Sequence, residues 1–108
     1  MLNLLKFKAK AAYKDGRATQ LSGREAYQKY GEQMVPFVLA HGGRMVFSGA
    51  ANGLVIGEVG EMWDMVALME YPSAEAFAKI AMSPEVAKFG EHREAGLAGQ
   101  LLIEVHQQ

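Results

Sequence analysis

The chain has 108 residues, 50% of them hydrophobic and 21% charged, which suits one globular domain with one core and excludes a disordered chain. Eleven Lys and Arg against twelve Asp and Glu leave a formal net charge of -1, without the basic footprint of a nucleic-acid binder. Cysteine is absent, so disulfides, thiolate nucleophiles and cysteine-held iron–sulfur clusters are excluded.

Leu2 to Lys8 alternates as a first strand, with Leu2 and Leu4 on one face and Leu5 and Phe7 on the other. Its start has no positive region ahead of a long apolar run, so it is not expected to act as a signal peptide. No apolar stretch of bilayer-spanning length follows, and a cytoplasmic protein without membrane or nucleic-acid partners is the expectation. Lys6, Lys8, Lys10 and Lys14 suit a solvated edge better than an anion site. Lys10 to Leu21, with its Asp15-Gly16 pair, reads as a connection.

Ser22-Gly23-Arg24-Glu25 is a capping-box signature that starts a helix running to about His41. Tyr27, Tyr30, Met34, Phe37 and Val38 form its apolar stripe at three- and four-residue spacing. Pro36 should kink it, since it cannot donate to the carbonyl of Glu32, and Gly42-Gly43 ends it with a left-handed cap.

Arg44 to Ala50 is the second strand, with Met45, Phe47 and Gly49 on one face and Val46 on the other. Ala51-Asn52-Gly53 is expected to interrupt that strand, which resumes over Leu54 to Ile56; a true hairpin at Asn52-Gly53 is the alternative. A turn over Gly57 to Glu61 leads to the third strand. There Trp63, Met65, Ala67 and Met69 point one way and Val66 and Leu68 the other. Pro72 stops it and Ser73 caps a helix packed through Ala74, Phe77, Ala78 and Ala81. Ser83-Pro84 restarts a short helix anchored by Val86 and Phe89. Gln100 to His106 is the last strand, with Leu101, Ile103 and Val105 opposite Leu102.

The order β-α-β-β-α-β over residues 1–108 predicts an α+β, ferredoxin-like unit: a four-stranded antiparallel sheet with helices on one face. The other face still carries large apolar side chains. A second copy packed sheet on sheet, as an isologous homodimer closing toward a barrel, would cover them; an open ligand groove is the alternative.

Asn3-Leu4-Leu5-Lys6-Phe7, the helix around Tyr27 and Tyr30, His41-Gly42-Gly43-Arg44, Trp63-Asp64, Glu70-Tyr71-Pro72-Ser73 with Phe77, Ser83-Pro84-Glu85 and His92-Arg93 together resemble the domain of unknown function 1330 family. That resemblance spans nearly the whole chain and implies the dimeric α+β barrel superfamily. This superfamily includes cofactor-free quinol monooxygenases, muconolactone isomerase, haem-dependent enzymes and stress-responsive proteins. The family itself implies no settled reaction. The aromatic residue usual after Ser-Pro-Glu is Val86 here, so a pocket wall built on that ring would change shape.

Six residues carry candidate chemistry. His92 can exchange protons near neutrality and Arg93 can fix a carboxylate or enolate, although neighbours on a helix point about 100° apart. The competing reading is a solvated segment in which Glu91, His92, Arg93 and Glu94 satisfy one another. Asp64, at the start of an apolar strand, needs a partner: an arginine, backbone amides or a ligand's proton. Trp63 offers a flat wall for an organic ring or a packing surface. Asn3 between leucines would line a semi-polar cavity or bridge to a neighbouring strand, and Arg44 would bind an anion or a surface carboxylate. The histidines show no metal spacing, and neither metal nor cofactor is expected. The resulting expectation is a homodimer that binds a small organic acid, phenol or quinol. Catalytic His92 and Asp64 would act on it by cofactor-free proton transfer or oxygenation, with Asn3, Arg44, Trp63 and Arg93 as ligand contacts. A non-enzymatic binding or structural dimer is the alternative.

Overall fold

The computed structural model describes all 108 residues, in the order β1 Leu2–Phe7, α1 Gly23–Ala40, β2 Arg44–Ala50, β3 Met65–Glu70, α2 Ala74–Ala81, α3 Pro84–Gly96 and β4 Leu97–Ile103. The strands form one antiparallel sheet in the order β2-β3-β1-β4. This is the ferredoxin-like arrangement expected from the alternating elements. No helix is long and apolar enough to cross a membrane.

The helix starts follow the sequence's capping residues. Ser22 accepts from the Glu25 N–H and the Glu25 carboxylate accepts from the Ser22 N–H, so two free donors of α1 are satisfied reciprocally. Ser73 and Ser83 cap α2 and α3 by accepting from the Ala76 and Val86 N–H, without a return bond, and Pro84 occupies the first turn of α3. Pro36 lies within α1, which nevertheless continues to Ala40, and Gly42 takes the left-handed conformation beyond it at φ +90°.

Three expectations are corrected. The Met45–Phe47 face is split: Met45 pairs with Met69, but Phe47 pairs with Leu68, so Val46 is the extra residue of a bulge. Met45 therefore faces the helices and Phe47 the opposite side. Leu54 to Ile56 is not a continuation of β2, because the pairing with β3 ends at Ala50 opposite Met65. Residues 51–64 are an irregular connection, with Val55 and Ile56 almost fully exposed. Finally, α3 runs unbroken to Gly96, and β4 begins at Leu97 rather than Gln100 and ends at Ile103.

The core has two parts. Val38, Met69 and Ile80 pack with Met34, Phe37, Met45, Tyr71 and Val86 between sheet and helices. Ala11, Tyr13, Ala26 and Ala95 bring the 9–21 connection, α1 and α3 together. Small residues permit that second contact: the Gly23 N–H donates to the Lys8 carbonyl at 3.1 Å and the Lys8 N–H to the Gly96 carbonyl at 2.8 Å.

Leu2, Leu4, Val66, Leu68, Leu101 and Ile103 fall on the sheet face away from the helices, in register with one another and with Phe47. The molecule is a slab 17 Å thick and about 40 Å across, and this face is bare.

Candidate functional site

A cleft of about 640 Å³ opens between α1 and the helix side of the sheet. Its origin is local. Ser48 and Ala67 are cross-strand partners on its floor, with Ala50 beside them, and these small side chains do not reach α1. Phe7, Met45, Met65 and Met69 surround that floor, while the α1 stripe supplies Tyr27, Tyr30 and Met34 above it. Eleven of its eighteen lining residues are hydrophobic, which suits an organic ligand oriented by few polar groups.

The polar groups are mostly neutral. Burial pushes the phenols of Tyr27, Tyr30 and Tyr71 above the usual tyrosine range; the charge of Arg93 partly opposes this at Tyr27 and Tyr30. All three stay protonated at neutral pH. Asn3, also on the wall, is held by a relay. Arg93 Nη1 donates to Gln100 Oε1 at 3.0 Å, Gln100 Nε2 donates to Asn3 Oδ1 at 3.1 Å, and Asn3 Nδ2 donates to the Ala67 carbonyl at 3.3 Å. Asn3 thus both lines the cleft and bridges two strands, while Arg93 reaches it only through Gln100.

The other expected residues do not converge there. His92 leaves α3 on the side of the 9–21 connection, where its Nδ1 lies 2.7 Å from the Tyr13 hydroxyl and the rings meet edge to face. Arg17 lies 4.2 Å over the Tyr13 ring and bonds Asp15 and Glu91. This cluster straps the connection to α3, so a general base at the cleft is not what His92 supplies. His92 and Arg93 diverge as consecutive helical residues must.

Asp64 is a structural anchor. Its Oδ2 accepts from the Phe7 N–H at 2.8 Å and its Oδ1 lies 3.4 Å from Lys6 Nζ, tying the approach of β3 to the end of β1. The Phe7 amide, followed by Lys6, lowers the carboxyl below its ordinary value. A depressed folded value means that the stability contributed is present above the unfolded value of about 3.9 and is lost as pH falls through the folded one. Asp64→Asn is therefore expected to cost about 1 kcal/mol at pH 7 and progressively less as the pH falls through the folded value. Thermal unfolding from pH 2 to 7 checks this; a difference that persists undiminished at pH 2 would show that the charge does not contribute.

Trp63 precedes β3 and does not share the side of Met65. Its ring lies beside Gly99 and Lys6, cross-strand partners on the bare face. Arg44 makes a bidentate, exposed cross-strand pair with Glu70, at 2.7 and 3.4 Å. It borders a second depression of about 480 Å³, near Pro72, Phe77 and the residues after β4. Val86 belongs to the core beneath α1 and not to the cleft wall. No three metal-ligating side chains come together.

Sequence reasoning missed Gln100 and Arg24, and it treated Tyr27 and Tyr30 only as packing. Gln100 carried a signal: it is a polar residue in register with Leu5, on the inward side of β4. Arg24 carried none beyond its place two residues after an N-cap.

The family model described as domain of unknown function (DUF1330) matches residues 11–105. Among solved structures, the chain is similar to the methylated RPA0582 protein, with 36% identity, a TM-score of 0.88, and coverage of 99% of this chain and 78% of that one. A second structure of RPA0582, a protein of unknown function from Rhodopseudomonas palustris, matches at 35% identity and a TM-score of 0.82, covering 94% and 75%. No curated protein matches the sequence.

Proposed function

The chain belongs to the DUF1330 family, and from that premise we propose that it is a homodimeric binding protein whose α1–sheet cleft takes one small, flat organic molecule. The observation that carries the proposal is the cleft itself, with a floor of small side chains, three protonated phenols and an amide fixed by two hydrogen bonds, the donor of one held in turn by Arg93. Such groups orient a carbonyl, hydroxyl or carboxylate but are poor proton abstractors at neutral pH. Binding is thus better supported than cofactor-free proton transfer or oxygenation, since neither His92 nor Asp64 lines the cleft.

Support for the dimer comes from surface area. The chain exposes 7226 Å², whereas a compact folded monomer of 11.8 kDa exposes roughly 5,900 Å². The excess exceeds the ~800 Å² that each partner gives to a stable interface. Phe47, Leu101 and Ile103 on the bare face are 58%, 46% and 41% exposed, which favours that face as the contact with a second copy.

Titration of ¹⁵N-labelled protein with 2-naphthol tests the cleft. Saturable amide shifts are expected along the inner face of α1 and along β3, sparing the residues around His92. Ser48→Leu, which fills the floor from an exposed position, is expected to weaken binding about tenfold. Shifts that are absent or spread evenly at millimolar probe would reject a binding role for the cleft.

A further inference from the structure

The cleft holds a cation without an ion-pair partner: its lining carries one carboxylate, Glu32, and this makes no ion pair with Arg24. Arg24, in the first turn of α1, lines the cleft, and its guanidinium lies 4.8 Å over the Phe7 ring, also on the wall. A cation held over an aromatic face keeps its outward edge free to donate. The other three arginines are engaged: Arg17 with Asp15 and Glu91, Arg44 with Glu70, and Arg93 with Gln100. Arg24 makes no hydrogen bond and no ion pair. Asp64 feels its charge, but its oxygens serve Phe7 and Lys6. Glu25 is likewise turned back onto Ser22 in the capping box.

We infer that Arg24 is the specificity-determining residue of the cleft, and that its ligands are planar aromatic acids whose carboxylate is bound by this guanidinium. The inference rests on the cleft as a binding site and narrows its ligands from acids, phenols and quinols to acids. A planar guanidinium matches a carboxylate in bidentate fashion, which no neutral phenol can reproduce. The ring of the acid would then pass over Phe7 and Tyr27 toward the methionine-lined interior, with its far edge near Asn3 and the phenols.

The probes are 2-naphthoate and its neutral isostere 2-naphthamide, titrated into the wild-type protein, Arg24→Gln and Arg24→Lys by calorimetry and amide shifts. Wild-type protein is expected to bind the acid about tenfold more tightly than the amide. Arg24→Gln should lose that advantage, with its thermal unfolding and unshifted amides away from the cleft showing that the variant is folded. Arg24→Lys should fall between them, because it keeps the charge without the planar fork. Equal affinities of wild type for the acid and the amide, or an undiminished preference for the acid in Arg24→Gln, would overturn the role of Arg24 while leaving the cleft a binding site. If neither probe binds wild type at the cleft, both the inference and the binding role fall.

Discussion

Gly96→Ala is expected to be among the most damaging single-methyl additions this chain can receive. A Cβ at Gly96 would lie 2.3 Å from the Gly23 carbonyl oxygen and 3.0 Å from the Tyr27 nitrogen. Both are backbone atoms, so no side chain can rotate away, and α1 and α3 would have to separate. That separation would also strain the bonds by which Lys8 holds Gly23 and Gly96, and would open the packing of Ala26 on Ala95. A cost of at least about 3 kcal/mol is expected, because overpacking against backbone exceeds the usual range for side-chain crowding. In a chain of this size that lowers Tm by roughly 12–24 °C. The control is Gly90→Ala in the same helix, where a Cβ meets nothing within 4 Å. There the same methyl should stabilise by about 0.5–1 kcal/mol, since alanine loses less conformational freedom in a helix. Thermal and urea unfolding of both variants at one protein concentration checks the pair. A Gly96→Ala protein within two or three degrees of wild type would show that the helices yield without cost.

The contrast between these glycines also shows what was legible in the sequence. Caps, helix stripes and strand alternation are local, and they are legible at Ser22–Glu25, at the Tyr27–Val38 stripe, along β1 and from Met65 onward in β3, although not at Trp63 before it. The bulge at Val46 was not legible, because an extra residue in one strand is defined only by its partner strand. Leu54-Val55-Ile56 has strand-like composition but no partner to pair with, and composition alone does not supply one. Gly90 and Gly96 look alike in the sequence. Only the approach of Gly23, more than seventy residues earlier, makes one of them indispensable.

The site was less legible for the same reason. His92 and Asp64 were chosen for what they can do chemically, but long-range pairing with Tyr13 and with the Phe7 amide commits them to holding the fold. Asn3 stands out in the sequence because it interrupts an apolar strand, and in the structure it lies on the cleft wall. Its orientation depends on Gln100, 97 residues away, and on Arg93 behind it. The cleft is an absence of side-chain volume above Ser48, Ala50 and Ala67. Small residues on strands do not announce a cavity until the helix above them is in place.

Leu68→Asp and Met69→Asp are expected to fail in opposite ways, although the residues are neighbours of equal apolarity. In the sequence the two are interchangeable; the sheet separates them. Met69 points toward the helices, is 8% exposed and packs with Val38 and Ile80. An aspartate there would be desolvated among apolar side chains, at a cost of several kcal/mol, comparable to the whole stability of a small domain. Met69→Asp should therefore lose cooperative unfolding and near-UV circular dichroism. Leu68 points to the bare face, opposite Leu2 and Phe47. In an isolated chain an aspartate there stays hydrated and costs little. In a sheet-on-sheet dimer the two-fold axis would bring one carboxylate from each chain into a single apolar interface. Leu68→Asp should keep native circular dichroism yet sediment at the 11.8 kDa mass of one chain, where wild type is expected to sediment at twice that mass at micromolar concentration. Its Tm should also lose the rise with protein concentration that a dimer shows. A Leu68→Asp protein that remains dimeric would place the interface elsewhere. A monomeric wild type would leave the bare face to solvent and contradict the dimer altogether.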